Sequence, residues 1–288
     1  MVRGEYRVER IIRCGFESLL IAGIALVLSG CDSTTASMAS PSAGEAKSQG
    51  APAISGDDSG KGMVAIRRAT DSGKYIFMFF SKANDDQTLA MRKVFDKTME
   101  KVSDRAQWIA IDITDSSEKA IVDKFQLTRA PMPLVLALAP NGAITGGFPI
   151  KFEEQQLLNA FSTPATEKVM KELQDNKLVF VCVQNSKTKS NEVAMKGVRD
   201  FKADARFASA TEIIMLDPTD SAEASFLKDL KIDPKTEEAM TVFLVPPGAA
   251  IAEYKGATEK TELVAILQKA SSSSCAGGSC GPGGCPPK

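Results

Sequence analysis

Asp112-Ile113-Thr114-Asp115-Ser116-Ser117-Glu118 recurs 105 positions later as Asp217-Pro218-Thr219-Asp220-Ser221-Ala222-Glu223. In both copies the segment follows an apolar stretch and precedes residues with helical spacing. With two inserted residues, four more positions match further along: Val135, Pro140, Ala143 and Ile144 against Val242, Pro247, Ala250 and Ile251. Because the order of predicted elements also repeats, we expect a duplicated domain of about 100 residues.

The predicted elements follow the same order in each copy. For the first copy we predict strands over residues 75–80, 108–113, 134–138 and 143–148, helices over 88–102, 117–125 and 152–161, and a break in the chain at Pro164. For the second copy we predict strands over 178–183, 211–216, 241–245 and 251–254, and helices over 191–201, 221–230 and 260–269. This order indicates an α/β fold in which helices cover both faces of a mixed sheet.

Three segments of the first copy carry a family resemblance. Arg129-Ala130-Pro131-Met132-Pro133-Leu134 resembles the segment that holds the cis-proline of thioredoxin-like proteins. The helix that contains residues 91–95 is similar to the one after their redox motif, and Asn141-Gly142 is similar to their hairpin turn. The resemblance implies two tandem thioredoxin-like domains, residues 61–163 and 164–270, with Pro133 at the cis-proline position.

The residues that thioredoxin chemistry needs are missing from both copies. Dithiol exchange uses two cysteines spaced C-x-x-C at the start of the first long helix, where the helix dipole lowers one pKa. Asn84 and Gln87 occupy those positions here, and residues 185–190 of the second copy also lack cysteine. The second copy has Ala239 before its strand in place of the proline. Catalysis at the usual position is therefore excluded, and an enzyme is not the favoured interpretation.

The resemblance also implies a binding role that does not need the cysteines. Thioredoxin-like domains bind extended peptides beside the cis-proline, so a peptide groove is predicted around Asn84, Gln87, Met132 and Pro133. The leading hypothesis is a non-catalytic binding or assembly protein with a protein partner.

Composition excludes several other functions. The chain has 288 residues, 43% of them hydrophobic, and its 35 Lys+Arg against 36 Asp+Glu leave a formal charge of -1. No overall basic charge favours nucleic acid. Histidine is absent, which excludes Ser-His-Asp catalysis and any zinc or haem site that uses an imidazole of this chain.

The first thirty-one residues are typical of an export signal. Four arginines precede the apolar run 18–28, which is shorter than the roughly 20 residues that span a bilayer. Leu28-Ser29-Gly30-Cys31 resembles the lipobox of bacterial lipoproteins. It implies that residues 1–30 are a signal peptide and that Cys31 is acylated, for example with palmitate. We therefore predict a protein of the bacterial cell envelope, anchored to a membrane outside the cytoplasm by Cys31 and a flexible tether over 31–60.

The last eighteen residues, 271–288, are rich in Gly and Pro and contain Cys275, Cys280 and Cys285. Three thiolates suit Cu(I), whereas zinc would need a fourth ligand. The sequence requires no cofactor, and copper and zinc are the candidates. Outside the cytoplasm the same cysteines could pair as disulfides or cross-links, or serve as a mobile dithiol in a thiol-disulfide oxidoreductase. A low-complexity end without a defined role is the remaining alternative.

Two further sets of residues invite a chemical interpretation. Cys182 lies within an apolar strand, where a small buried residue is favoured over a reactive or metal-binding thiol. The aspartates of the repeated segment could form an acid pair, but at strand ends and helix starts they are better interpreted as caps of free amide groups. These four residues are Asp112, Asp115, Asp217 and Asp220.

Overall fold

A computed structural model describes residues 60–273. The predicted signal peptide, the lipidation site Cys31, most of the tether and the cysteines of the predicted tail lie outside these residues. The strands are β1 (Tyr75–Ser81), β2 (Ala106–Asp112), β3 (Leu134–Leu138), β4 (Ile144–Pro149), β5 (Leu178–Val183), β6 (Thr211–Leu216), β7 (Met240–Val245) and β8 (Ala249–Lys255). The helices are α1 (Lys61–Asp71), α2 (Asp86–Glu100), α3 (Lys119–Lys124), α4 (Glu154–Leu158), α5 (Pro164–Gln174), α6 (Asn191–Lys202), α7 (Ala224–Asp229) and α8 (Lys260–Ser273).

The strands form two sheets of identical topology, in the orders β2-β1-β3-β4 and β6-β5-β7-β8. In each sheet the first two strands are parallel, and the other two add in antiparallel fashion. Each sheet is built from the connectivity β-α-β-α-β-β-α, which is that of the thioredoxin-like fold. The predicted class is confirmed: α/β, with two tandem thioredoxin-like units, each a mixed sheet flanked by helices.

Each sheet is covered on both faces, which explains why its central strand is apolar throughout. In β1, three residues face α2 and α4, namely Tyr75, Phe77 and Phe79, and three face α1 and α3, namely Ile76, Met78 and Phe80. The valines of β5 face α5 and α7, whereas Phe180 and Cys182 face α6 and α8. Within residues 60–273, no helix is long and apolar enough to cross a membrane.

Two helices, α1 and α5, are not predicted from the sequence. Each of them directly precedes the first strand of its sheet in the chain. The predicted break at Pro164 is wrong: this residue is the first of α5, where a missing N–H is harmless because it would have no partner within the helix. The helix α1 begins after Gly60, which has no side chain to cap it. The predicted tail also starts too early, because α8 continues to Ser273.

The aspartates of the repeated segment accept hydrogen bonds from corresponding backbone N–H groups in the two units. Asp115 and Asp220 accept hydrogen bonds from the N–H groups of the short helical turns that follow them, and Asp112 and Asp217 bind the threonine two residues later. The prediction that these aspartates are caps is confirmed.

The glutamate that ends each copy of the segment accepts hydrogen bonds from a helix more than fifty residues earlier in the chain. Glu118, 3% exposed, accepts from the N–H groups of Lys61 and Gly62 at 2.9 and 3.0 Å and so caps α1. Glu223, 5% exposed, accepts from Ala165 N–H in α5 at 2.8 Å. Because Pro164 has no N–H to offer, the second oxygen of Glu223 has no hydrogen-bond partner among the described residues.

The helix α5 belongs to both units. Its residues Val169 and Leu173 pack in the core of the second sheet, whereas Met170 packs in that of the first. The Gln174 side-chain amide pairs with the N–H and C=O of Ile144 in β4 at 2.9 and 2.8 Å. One helix therefore ties the two sheets together.

Candidate functional site

Asn84 and Gln87, which the resemblance places at the cysteine positions of thioredoxin-like proteins, lie exposed at the start of α2. This helix is capped by Asp85, whose carboxylate accepts from Thr88 N–H at 2.7 Å, and this bond lowers the pKa of Asp85. Gln87 donates from its side-chain amide to the carbonyl of Ile150 at 3.2 Å. Among the described residues, the Asn84 side chain has no hydrogen-bond partner. Neither position offers a nucleophile, and Gln87 instead fixes α2 to the end of β4.

The predicted proline segment lies directly beside this contact. The peptide bond between Met132 and Pro133 is cis, as the resemblance implies, whereas the second cis bond, Pro246–Pro247, lies in the hairpin after β7. The carbonyl of Pro133 accepts from Ile150 N–H at 2.6 Å. The structure thus brings Gln87, Pro133 and the neighbouring Met132 together around Ile150.

Met132 carries the open part of this site. It precedes β3 and is half-buried, with its side chain against the core on the α1 and α3 face. Its backbone N–H and C=O make no hydrogen bond to any residue in the described part of the chain. Backbone polar groups are strong hydrogen-bonding groups, and an extended chain laid alongside can satisfy them. We call Met132, Pro133 and Ile150 the open edge.

The strand registers identify the corresponding residues of the second unit. Phe80 of β1 pairs with Leu134, and Val183 of β5 pairs with Met240. Pro133 therefore corresponds to Ala239, and Met132 to Glu238.

At these positions the second unit satisfies its own backbone. The Glu238 N–H and C=O both bind the hydroxyl of Thr236, at 3.4 and 2.9 Å. Lys189 N–H donates to Glu237 C=O at 2.7 Å, and Lys189 C=O accepts from Ala239 N–H at 3.0 Å. We call residues 237–239 the closed edge, because the chain itself occupies the place of a ligand.

Loop length explains the difference between the two edges. Four residues, 82–85, connect β1 to α2, whereas seven residues, 184–190, connect β5 to α6. The Asn185 side-chain oxygen accepts from the N–H groups of Lys187 and Thr188, which folds the longer loop back on itself. That fold carries Lys189 across to the closed edge, a distance that the shorter loop of the first unit does not cover.

Ile150 is the residue of this site that sequence reasoning missed. It has φ 65°, in the left-handed region, and the residue is 46% exposed. The corresponding residue is Gly256, since its N–H donates to Ala239 C=O at 2.8 Å just as that of Ile150 donates to Pro133 C=O. The available signal was the alignment of Pro133 with Ala239, which places Ile150 opposite a glycine.

Basic side chains flank the open edge. Lys82 donates to the carbonyl of Thr128 at 3.4 Å, which joins the loop after β1 to the turn before Met132. Arg129 and Lys151 make no ion pair with the residues that the structure describes. Of the nearby acids, Asp85 accepts from Thr88 N–H, and Asp86 lies in the first turn of α2, where the helix dipole stabilises a negative charge.

Cys182 is not part of this site. It is 1% exposed in β5, and burial raises the pKa of its thiol to about 12. A thiol that stays protonated is a poor nucleophile and a poor metal ligand, so its interpretation as a small buried residue is confirmed. Within residues 60–273, no three Cys, Asp or Glu side chains are grouped so that they could hold a metal ion, and the candidate ligands Cys275, Cys280 and Cys285 lie outside this range.

Comparison with known proteins finds likeness in fold only. No protein-family model matches the chain, and no curated protein is significantly similar to it. The NTD_N/C domain of alkylhydroperoxide reductase AhpF from Enterococcus faecalis is 18% identical, with a TM-score of 0.24 over 70% of this chain and 97% of that one. The first two thioredoxin domains of Saccharomyces cerevisiae Eps1p are 9% identical, with a TM-score of 0.26 over 70% and 94%.

A single-domain structure gives a similar result. The thioredoxin Deadhead from Drosophila melanogaster is 18% identical, with a TM-score of 0.29 over 35% of this chain and 90% of that one. These identities and TM-scores are low. The fold assignment therefore depends on the strand order and connectivity described above, and nothing about activity follows from these likenesses.

Proposed function

We propose that this chain is a non-catalytic binding or assembly protein that holds an extended segment of a partner protein at the open edge. One observation carries the proposal: the Met132 N–H and C=O have no partner among the described residues, whereas Thr236 takes up the same two groups of Glu238. Asn84, whose side chain has no hydrogen-bond partner among the described residues, offers an amide to such a segment. Neither Asn84 nor Gln87, at the positions where thioredoxin-like proteins carry cysteines, offers redox chemistry.

The proposal includes a location. The arginine-rich start, the short apolar run and Cys31 support export and lipid attachment to a membrane of the bacterial cell envelope. A palmitate analogue fed to a bacterial host should label the full chain and should not label its Cys31→Ser variant. Equal labelling of the two proteins would remove the anchor from the proposal.

The open edge can be tested without any substitution. The probe is a pool of acetylated, amidated nonapeptides with randomised sequence, added to the isotope-labelled full chain. We expect the backbone amide NMR signals of Gln87, Met132 and Ile150 to shift. Those of Glu238 and Gly256, the corresponding residues of the closed edge, serve as internal controls and should not move. Shifts confined to the second unit, or no shifts in either, would contradict the proposal.

A second candidate function is capture or delivery of a soft metal ion by the cysteine tail. Three thiols spaced by four residues favour it, and they begin two residues after α8 ends at Ser273. After anaerobic purification, the full chain should carry close to one copper or zinc ion. The variant with Cys275, Cys280 and Cys285 all replaced by serine should carry none. Equal metal content in the two proteins would exclude this function.

The same pair of proteins tests the tail as a mobile dithiol. An oxidoreductase that uses these cysteines would reduce or isomerise a disulfide substrate, and the triple serine variant would lose that turnover. We place this function last, because no residue is positioned by the sequence to lower the pKa of the tail thiols.

A further inference from the structure

We propose that the segment bound at the open edge presents an aliphatic side chain to Ile150, between acidic residues, and that Ile150 is the specificity-determining residue. The inference rests on the proposed function and names the chemistry of its ligand. Ile150 lies beside Met132 and Pro133, because its N–H is bonded to the Pro133 carbonyl. A segment that pairs with the Met132 backbone therefore passes next to the isoleucine side chain.

The first support is the backbone conformation of Ile150. A β-branched residue at φ 65° is uncommon, because its side chain crowds the carbonyl oxygen in the left-handed region. Two hydrogen bonds hold the backbone in this conformation: Ile150 N–H donates to the Pro133 carbonyl, and Ile150 C=O accepts from the Gln87 side chain. Residues held in such conformations cluster at functional sites, where the surrounding structure maintains them.

The second unit shows which residue suits this backbone position. Gly256 makes the corresponding hydrogen bond at φ 79°. A Cβ added there would meet only ordinary contacts, 3.8 Å from Ser190 and 3.9 Å from Glu238, so space does not forbid a side chain. The positive φ of this position, rather than a lack of space, therefore favours glycine, and at the open edge the corresponding residue is Ile150.

The third support is where the isoleucine side chain lies. The residue is 46% exposed, so burial of its side chain in the core does not offset the conformational cost. An exposed aliphatic side chain kept in an unfavourable conformation is explained if a ligand covers it. Since about half of the residue's surface is left open, covering it would contribute about a tenfold gain in affinity.

Charge identifies the residues on either side of the aliphatic one. Arg129 lies three residues before Met132, and Lys151 directly follows Ile150. Neither forms an ion pair within the described part of the chain, and Lys82 adds a third positive charge from the loop after β1. Acidic residues flanking the aliphatic position would complement these side chains, whereas basic ones would be repelled.

The test uses three fluorescent nonapeptides and the full chain. Their sequence is Thr-Glu-Thr-Glu-X-Glu-Thr-Glu-Thr with X isoleucine or asparagine, and a third peptide has isoleucine with every glutamate replaced by lysine. Fluorescence anisotropy should show the isoleucine peptide binding about tenfold more tightly than the asparagine peptide, and more tightly still than the lysine-flanked peptide.

Variants separate specificity from folding. Ile150→Gly should bind the isoleucine peptide about tenfold more weakly while its melting temperature stays the same or rises, because glycine relieves the strained backbone. Ile150→Asn, which tolerates this conformation, should lose the same affinity. Leu89→Ala is the matched control: it removes another exposed aliphatic side chain, from α2, and should change neither quantity.

The outcomes separate this inference from the proposed function. If the three peptides shift the Met132 signal and bind equally, or if Ile150→Gly binds as tightly as the unaltered chain, the assignment of Ile150 is wrong while peptide binding stands. A preference for the lysine-flanked peptide would overturn the acidic flanks. If neither these peptides nor the randomised pool perturb the open edge, both proposals fail.

Discussion

The two buried glutamates allow a prediction in which one unit serves as the control for the other. Glu118 accepts two backbone hydrogen bonds at the start of α1, whereas Glu223 accepts one at the start of α5 and has one oxygen without a partner among the described residues. Both carboxylates are almost fully buried. When the same substitution is made at both positions, the free-energy cost of burying the carboxylate therefore largely cancels in the difference between the two losses of stability.

The expected magnitudes follow from the bond counts. A hydrogen bond to a charged group contributes about 1.5–3 kcal/mol, and a buried polar atom without a partner costs about 1–3 kcal/mol. Glu118→Ala loses two such bonds, and we expect the free energy of unfolding to fall by about 3 kcal/mol. Glu223→Ala loses one bond and also removes an unsatisfied oxygen, so we expect a loss of about 1 kcal/mol or less.

Urea denaturation of the full chain, followed by circular dichroism, measures both losses. Trp108, the single tryptophan, lies in β2 and reports on the first sheet separately by fluorescence. The glutamine variants sharpen the test, because Glu118→Gln places an amide NH₂ against a backbone N–H, whereas Glu223→Gln keeps its one acceptor. Equal losses for the two alanine variants, or a larger loss at Glu223, would refute the argument.

Three further predictions concern other parts of the chain. Gly197→Ala should lower the free energy of unfolding by about 1–3 kcal/mol, since the new Cβ would lie 2.4 Å from the backbone of Thr258; thermal denaturation measures it. Burial, the largest cause, raises the pKa of Glu167, which accepts a hydrogen bond from the Tyr75 hydroxyl. The native state therefore binds the proton more tightly than the unfolded state, and stability falls as pH rises between the unfolded and the raised folded pKa. Glu167→Gln should exceed the unaltered chain in stability above that window, and the difference should vanish below it. Cys182 should react with iodoacetamide at pH 8 only after unfolding, as mass spectrometry of its peptide can check, because its thiol is buried and its pKa is about 12.

The sequence predicts the strands well for a physical reason. β1 and β5 are buried on both faces, so their residues form short, continuous apolar runs with turn signals on either side. The cores follow from these runs, and the duplication fixes the order of the elements.

The two helices α1 and α5 were missed for the opposite reason, because the glutamates that cap their first turns are distant in the sequence. The cap of α1 is Glu118, 57 residues from Lys61, and Pro164 marks a helix start only because Thr163 and Glu223 satisfy the amide groups around it. Local rules interpret a glycine or a proline there as a breaker. Ile150 escaped prediction in the same way, because its φ depends on hydrogen bonds to Pro133 and Gln87.

The closed edge has a consequence for how the chain meets its partner. Duplicating a binding unit ordinarily gives a bivalent molecule, which gains avidity and draws partners into clusters. Here Lys189 and Thr236 occupy the second edge, so within residues 60–273 the doubled fold offers a ligand one edge of this kind. On the proposed function, such a protein forms one-to-one complexes and does not cross-link its partners, however densely it covers a membrane.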